Sequence, residues 1–381
     1  MKIFFNSLNK NRNFKYNMIF CKIHYLACQI ILKSIYQKFM KIIKFFILTV
    51  LILSNTSCLD LKQESFKING KTMGTYYIVN VVDPPKNVSK KKLKVEVSKT
   101  LEEINKKLSN WDNSSEVSFL NQNKTLLPVI ISEDLFNVIN ASNLIHIKSE
   151  GFFDITIDPL IELWGFGYRN KKKKVPSQIE IKNALKLVNQ SKVLQLNPEN
   201  LSITKSNKDV SINLSSIAKG YGIDLIGQKL EKLGIENYLI DIGGDILTKG
   251  KNKVDKDWVI GIENPNLIKR LIKEIVNITD KGIATSGDYK NFYEENGVQY
   301  SHILNPNSGK PIIHNTKSVT IIHDNAMMAD GWATALLALG SIKGLEIAEK
   351  NEIASLFIIK EKNNFIKIKS SEFKKLSESN N

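Results

Sequence analysis

The sequence predicts an α+β fold with largely antiparallel sheets and packed helices. Stretches with apolar residues at helical spacing are mixed irregularly with short strands rich in β-branched residues. Strands predicted at 193–196 and 201–204 are joined only by Asn-Pro-Glu-Asn, which is typical of a hairpin. The length of 381 residues is ample for a large core in one or two domains.

Residues 40–57 are typical of a lipoprotein-type signal peptide. A basic start at Met40 is followed by an apolar run from Phe45 to Ser54 and by small residues before Cys58. The apolar run is short for a membrane span. Cys58 resembles the lipidated cysteine of a lipobox, although Asn55 stands where lipoboxes prefer Leu. We expect export and a lipid anchor on Cys58 at the periplasmic side of the cell membrane; an uncleaved signal-anchor is the alternative.

These features divide the chain into segments. The signal does not need the residues before it, so translation is expected to start at Met40 rather than Met1. The segments are a superfluous extension at 1–39, the signal at 40–57, a polar tether at 58–70, the functional domain at 71–369 and a flexible tail at 370–381.

Charge and cysteine usage exclude several classes of function. The net charge is +16, but residues 1–58 hold nine Lys or Arg and no acid, which leaves +7 for the remainder. The run Lys171 to Lys174 is more typical of a solvated loop than of a nucleic-acid groove, so no nucleic-acid partner is expected. Cys21, Cys28 and Cys58 are the three cysteines. The domain after Cys58 therefore has no disulfide, thiol nucleophile or thiolate metal ligand.

The first half of the domain alternates strands and amphipathic helices. A strand is predicted at Tyr76 to Val82 and helices at Ser89 to Leu108 and Ser132 to Lys148. Ser177 and Glu180 form a capping box for a helix that extends to Asn189.

Residues 212–224 are predicted to pass from a strand end into a helix. Ser215 and Ser216 lie near that helix N-terminus, where free N–H groups and the helix dipole attract phosphate. Lys219 adds a positive charge, although a single lysine there is usually solvated. The next strand ends in Gly243-Gly244, which permits either backbone approach to a ligand or a sharp turn.

The second half is predicted to continue with strands and two helical stretches. Strands are predicted at 258–262, 272–278, 283–286 and 319–322, a helix around Asp330, a helix at 342–350, and a closing hairpin of 355–359 with 365–368.

Residues 281–340 hold the side chains that favour a chemical function. In Gly282 to Tyr289, the hydroxyls of Thr285 and Ser286 and nearby backbone N–H groups can donate to phosphate oxygens. His302 follows at a strand end. Asp330 and Thr334 are four residues apart on one helical face, an oxygen pair that suits Mg²⁺. Together these groups predict phosphoryl or nucleotidyl chemistry.

The same motifs resemble the ApbE-type family of FAD:protein FMN transferases. Thr-Ser-Gly-Asp-Tyr at 285–289, Ser-His-Ile at 301–303 and Ala-Asp-x-x-x-Thr at 329–334 match its signatures, as do Met-Gly-Thr at 73–75 and Gly-x-Phe-Asp-x-Thr at 151–156. The resemblance implies a flavin nucleotide in a cleft between two lobes. It implies Mg-dependent transfer of FMN from FAD to a Thr or Ser hydroxyl of a partner redox protein, with release of AMP.

The resemblance also implies roles for individual residues. FAD would contact Met73, Trp111, Phe152, Phe153, Asp154, Asn213, Lys219, Thr285, Ser286, Gly287 and Leu304. Mg²⁺ would bind Asp330, Thr334 and the backbone carbonyl of Ser216. His302 is the best candidate for taking the acceptor's proton, because imidazole titrates near neutrality, and Asp288 is the reserve. A core position for Trp111 and a turn-capping role for Asp154 remain alternatives.

Two positions depart from the family pattern. Asn213 stands where members often have Asp, which keeps hydrogen bonding but loses a charge. Ala333 stands where many have Asp, and one carboxylate fewer should weaken metal binding or favour one metal over two. Two alternatives therefore stay open: an FAD pyrophosphatase giving FMN and AMP, or a non-enzymatic flavin-binding lipoprotein.

Overall fold

The structure is a computed structural model that describes part of the chain. It covers residue 22 and residues 24–46, 64–169, 172–265, 272–289, 291–362 and 364–378. The chain divides into two compact units, 1–62 and 63–381. In the first unit, residues 24–46 form a largely exposed helix. None of the helices within the described ranges is both long and apolar enough to cross a membrane. Most of the predicted signal, together with Cys58, lies outside the described residues.

The second unit is built around an eight-stranded antiparallel sheet with the order β1-β2-β6-β7-β10-β15-β16-β17. The strands in chain order are β1 Ser65–Thr72, β2 Thr75–Val82, β3 Val129–Ile130, β4 Leu194–Asn197, β5 Ser202–Lys205, β6 Asn237–Ile242, β7 Asp245–Lys249, β8 Trp258–Glu263, β9 Ile272–Ile278, β10 Gly282–Gly287, β11 Phe292–Glu295, β12 Val298–Ser301, β13 Leu304–Asn305, β14 Lys310–Pro311, β15 Thr316–His323, β16 Ala354–Glu361 and β17 Asn364–Lys369. Four smaller antiparallel sheets complete the β-structure within the described residues: β3-β5-β4, β8-β9, β11-β12 and β13-β14.

The α+β prediction with antiparallel sheets is confirmed. The helices of this unit are α1 Lys90–Leu108, α2 Glu116–Gln122, α3 Glu133–Lys148, α4 Asp158–Leu163, α5 Gln178–Leu185, α6 Gln190–Val193, α7 Ala218–Lys232, α8 Ala326–Lys350 and α9 Ser371–Glu378. The helices predicted to start at Ser89 and Ser132 are present as α1 and α3, which these two serines cap, and the predicted capping box of Ser177 and Glu180 is present. The predicted extension of that helix to Asn189 is wrong, because α5 ends at Leu185 and Asn189 has a left-handed φ of 87°.

Both ends of the predicted domain need correction. The tether predicted at 58–70 is too long, because β1 begins at Ser65, pairs with β2 along its length and buries Ile68. The tail predicted as flexible from 370 contains α9. This helix is held because Phe373 is fully buried in a cluster with Trp258 and Leu356.

Helix α8 connects the sheet to the candidate site. It packs on β10 and β15 and buries Ala329, Leu336 and Leu337 in the largest apolar cluster. The two helical stretches predicted around Asp330 and at 342–350 are both present. They make up α8 and are joined at a kink at Gly340, whose φ of 76° and ψ of 173° are not helical. A second large cluster lies between α1, α7 and the strands β1, β2 and β6. The division into two lobes stays a prediction.

Candidate active site

A cleft of about 540 Å³ brings together all of the predicted site residues except Asp288. The elements around it meet here because α8 packs on both α7 and β10. Lys219 lies in the first turn of α7, and Asp330 and Thr334 lie on successive turns of α8. Thr285 to Gly287 form the end of β10, and His302 follows β12 directly.

A cluster of one lysine and two aspartates lies in the cleft. The Nζ of Lys219 forms an ion pair with Asp245 and another, at 3.2 Å, with Oδ1 of Asp330. The two carboxylate side chains are only 5% and 4% exposed. Burial raises the pKa of Asp330, and the ammonium group of Lys219 opposes that rise. Burial lowers the pKa of Lys219, but the two carboxylates outweigh burial and raise this pKa, so the side chain is charged at neutral pH.

Asp245 is a site residue that the sequence analysis missed. The signal was present, because Asp245 directly follows the paired glycines Gly243 and Gly244, for which a ligand role was left open. The structure places Gly243 and Asp245 in the lining of the cleft. It also shows that Lys219 is the counter-ion of two carboxylates.

Hydroxyl groups connect β10 to α8. The hydroxyls of Ser286 and Thr334 are 3.1 Å apart and hydrogen bonded. The hydroxyl of Thr285 bonds that of Thr320 on β15 at 2.8 Å. Ser286 is therefore placed beside the predicted metal ligand, whereas the hydroxyl of Thr285 already has a partner within the sheet.

The donors in this part of the cleft fit a hard divalent cation. Asp330 and Asp245 supply carboxylate oxygens, Thr334 supplies a hydroxyl and Ser216 lines the same cleft. Across the part of the chain that the structure describes, no group of three or more His, Cys, Asp or Glu side chains could hold a metal. A cation here would therefore need hydroxyl, backbone carbonyl or substrate oxygens to complete its ligands.

The expectation for Ala333 needs correction. Ala333 is fully buried in the largest apolar cluster and does not line the cleft. A carboxylate at this position would face the core rather than the candidate metal ligands. Alanine here therefore costs this chain no oxygen ligand.

Two aromatic side chains stand at the cleft where a planar ligand could stack. Trp111 is 64% exposed, so the alternative of a core tryptophan is wrong. Its ring lies 6.0 Å from that of Tyr168, which the sequence analysis missed, and the guanidinium of Arg169 lies 5.1 Å from the Tyr168 ring. Phe153 lines the cleft but is almost fully buried, so it contributes chiefly to the core.

Asp154 caps a turn, the alternative that the sequence left open. Its Oδ1 accepts a hydrogen bond from the backbone N–H of Thr156 at 2.8 Å, and its Oδ2 accepts one from Gln190 at 3.1 Å. Its side chain also lies near His146, with 3.7 Å between Oδ2 and Nδ1. Burial raises the pKa of Asp154. Asp154 thus holds the segment that carries Phe153 while lining the cleft itself.

Asn213 orients the backbone ahead of α7. Its Nδ2 donates to Asp158 at 3.2 Å, and its Oδ1 accepts from the N–H of Ser215 at 3.1 Å. Asp158 is fully buried and also pairs with Arg169. A carboxylate at position 213 would face the Asp158 carboxylate, which gives a physical reason for the amide in this chain.

His302 is oriented as a proton acceptor. Its Nδ1 lies 2.9 Å from the backbone carbonyl of Asn291. Because a carbonyl can only accept, Nδ1 carries the proton and Nε2 is left with a lone pair. Burial lowers the pKa of His302, and the charge of Asp288 opposes this. Asp288 itself lies outside the cleft lining and pairs with Lys317 at 2.6 Å, so it is not placed to receive the acceptor's proton.

The fold and cleft can be compared with known proteins. Residues 73–357 match the model of the ApbE family. The chain is 37% identical over 311 residues to the FAD:protein FMN transferase of Vibrio cholerae, covering 82% of this chain and 92% of that protein. It is 37% identical over 342 residues to the FAD:protein FMN transferase of Haemophilus influenzae, covering 89% and 99%.

A solved structure, the flavin transferase ApbE from Vibrio cholerae, superposes with a TM-score of 0.76 at 35% identity. The match covers 82% of this chain and 99% of that one. The similarity therefore includes the motifs, the fold and nearly the whole length of the relatives. The chain belongs to the ApbE family.

Proposed function

We propose that this protein is an FAD:protein FMN transferase. The acceptor hydroxyl oxygen attacks the phosphorus of the FMN half of FAD while its proton passes to His302 Nε2. The pyrophosphate P–O bond breaks, and AMP leaves with the bonding electrons. The proposal rests on one observation: His302, whose Nε2 has a lone pair, lines the same cleft as the oxygen ligands Asp330 and Thr334. Phosphoryl transfer requires this combination of a positioned proton acceptor and neutralised phosphate charge.

Different residues around the cleft are proposed to bind the metal and the flavin. Asp330, Thr334 and the Ser216 carbonyl are proposed to hold Mg²⁺, with Asp245 beside them. When bound, Mg²⁺ would neutralise the charge of the pyrophosphate. Trp111, which is exposed at the cleft, is proposed to stack on the isoalloxazine, a geometry that aromatic rings favour.

The acceptor is proposed to be a Thr or Ser in a subunit of an exported or membrane redox complex. The basic, apolar and small-residue order from Met40 to Cys58 supports export and a lipid anchor on Cys58. Mass spectrometry of the N-terminus of the native protein tests this part. A chain that retains residues 1–57 would contradict it.

The test of function compares the wild-type protein with Asp330→Ala. Both are incubated with FAD and Mg²⁺, with and without a peptide that carries the acceptor hydroxyl, and AMP, FMN and peptide-bound flavin are separated by thin-layer chromatography. The wild type is expected to release AMP and label the peptide, and Asp330→Ala is expected to retain FAD while releasing no AMP. FMN without labelled peptide would favour the pyrophosphatase, and FAD binding without any AMP would favour the flavin carrier.

A further inference from the structure

Helices α7 and α8 cap each other's first turn. Oδ2 of Asp330, on α8, accepts a hydrogen bond from the backbone N–H of Gly220 on α7 at 3.1 Å. Asp224 lies one turn further along α7 and caps the first turn of α8 in the same way. Its two carboxylate oxygens accept from the N–H groups of Ala326 and Met327, at 2.8 and 2.9 Å, which open α8. Each helix thus satisfies N–H groups of the other that have no partner within their own helix.

The first turn of α8 is also confined by close backbone packing. A Cβ atom on Gly220 would lie 2.2 Å from the carbonyl oxygen of Ala326, and one on Gly282 would lie 2.5 Å from its nitrogen. Asn325 caps a third N–H group, that of Met328, at 2.9 Å. Glycines therefore let α8 approach both α7 and β10, and side-chain acceptors determine its position at that contact.

The start of α8 determines where the candidate ligands point. Asp330 lies four residues after Ala326 and Thr334 four residues after that, so both project from the face set by the first turn. A shift of one residue along the helix would rotate each side chain by about 100°. The cleft tolerates no such change, because Asp330 must also reach Lys219 and Gly220.

We propose that Asp224 is a positioning residue for the cation-binding face of α8. This inference rests on the proposed function, since it takes Asp330 and Thr334 as the Mg²⁺ ligands. Asp224 lies outside the lining of the cleft and lines a separate depression of about 320 Å³ with Tyr221 and Gly227. Its carboxylate fixes the axial position and rotation of α8, and groups that orient the direct ligands have this role in many metal sites.

The test makes two measurements on the full chain. Isothermal titration calorimetry with FAD present measures Mg²⁺ affinity directly, and an activity assay gives the Mg²⁺ concentration for half-maximal AMP release. Asp224→Ala is expected to weaken Mg²⁺ binding about tenfold, the lower end of the usual effect of such partners. Asp224→Asn should have a Mg²⁺ affinity between those of the wild type and Asp224→Ala. Its amide oxygen can accept from one N–H group, while its NH₂ opposes the other. Assays are run at pH 8, because burial raises the pKa of Asp224 to about 6.

Ser132→Ala is the matched control. Ser132 caps α3, a helix that carries none of the predicted ligands, through a hydrogen bond from Leu135 at 3.3 Å. Ser132→Ala should lower the melting temperature while leaving Mg²⁺ affinity unchanged. Unchanged Mg²⁺ affinity in folded Asp224→Ala, or a wild type that binds no Mg²⁺, would overturn the inference. A wild type that binds Mg²⁺ but releases no AMP would overturn the proposed function instead, and the affinity difference would still decide the role of Asp224.

Discussion

Replacing Lys219 with Met should destabilise the protein in a way that Mg²⁺ partly reverses. The ammonium group is the shared counter-ion of Asp245 and Asp330, both almost fully buried. Methionine has a similar length but no charge, so the variant leaves two carboxylates facing each other in a poorly solvated cleft. The repulsion between the carboxylates and the loss of their ion pairs raise the free energy of the folded state only, because both groups are solvated in the unfolded chain.

The size of the effect follows from the burial of the three groups. Removing one partner of a buried ion pair usually lowers the free energy of unfolding by about 3–5 kcal/mol. The side chain of Lys219 is 30% exposed, so solvent screening places the loss at about 3 kcal/mol. At about 2 °C per kcal/mol for a large domain, the melting temperature should fall by roughly 6 °C.

The assay is thermal unfolding of wild type and Lys219→Met, each with EDTA and with saturating Mg²⁺. Mg²⁺ should raise the melting temperature of the variant more than that of the wild type, because the cation replaces the missing charge. Lys317→Met is the control, since Lys317 pairs at 2.6 Å with the buried Asp288 outside the cleft. It should be destabilised equally with EDTA and with Mg²⁺.

Two results would refute this reasoning. A melting temperature of Lys219→Met equal to that of the wild type in EDTA would show that the carboxylates do not need the ammonium group. An equal Mg²⁺ shift in both proteins would show that the cation does not bind beside Asp245 and Asp330.

Three further predictions concern the cleft. His302→Ala should slow AMP release by roughly 10²–10⁴-fold while leaving FAD affinity unchanged, because a general base acts on the chemical step; an equal loss of affinity would contradict this. In the wild type, the rate of AMP release should rise with pH through a midpoint below 6.5, because burial lowers the pKa of His302. Asp288→Asn should lower that midpoint further, because it removes a charge that raises the pKa of His302. Trp111→Ala should weaken FAD binding about tenfold without lowering the melting temperature, because its exposed ring stacks rather than packs; fluorescence titration and thermal unfolding measure the two effects.

Most of the fold could be predicted because local signals were strong. The caps at Ser89 and Ser132 and the capping box at Ser177 each determine a helix start through hydrogen bonds within four residues. The two ends of the domain could not be predicted in this way. Strand β1 depends on pairing with β2, and α9 depends on Phe373 reaching a distant apolar cluster, and neither contact is visible in local sequence.

Within the site, the sequence identified residue types but not their partners. The spacing of Asp330 and Thr334 predicted a shared face, and the structure agrees. Lys219 was expected to add positive charge at the FAD, but the sequence did not indicate its two carboxylate partners, which lie 26 and 111 residues away in the chain. Ala333 was expected to weaken a metal site from its position next to Thr334. Adjacent helical residues point about 100° apart, so Ala333 faces the core instead.

The partners of Lys219 change how the cleft is understood to work. A lysine without partners would only attract phosphate, whereas this ammonium group also holds Asp245 and Asp330 together. The same two carboxylates fit a cation, and a pyrophosphate brings negative charge that an ammonium group also stabilises. If Asp245 and Asp330 held Mg²⁺, Lys219 would be able to exchange a carboxylate partner for a pyrophosphate oxygen. Because Asp330 also accepts from Gly220, and Asp224 holds the start of α8, the carboxylate would keep its position during that exchange. The proposed ligands are thus held in place by groups of the chain itself, and groups fixed in this way need little reorganisation at a reacting phosphorus.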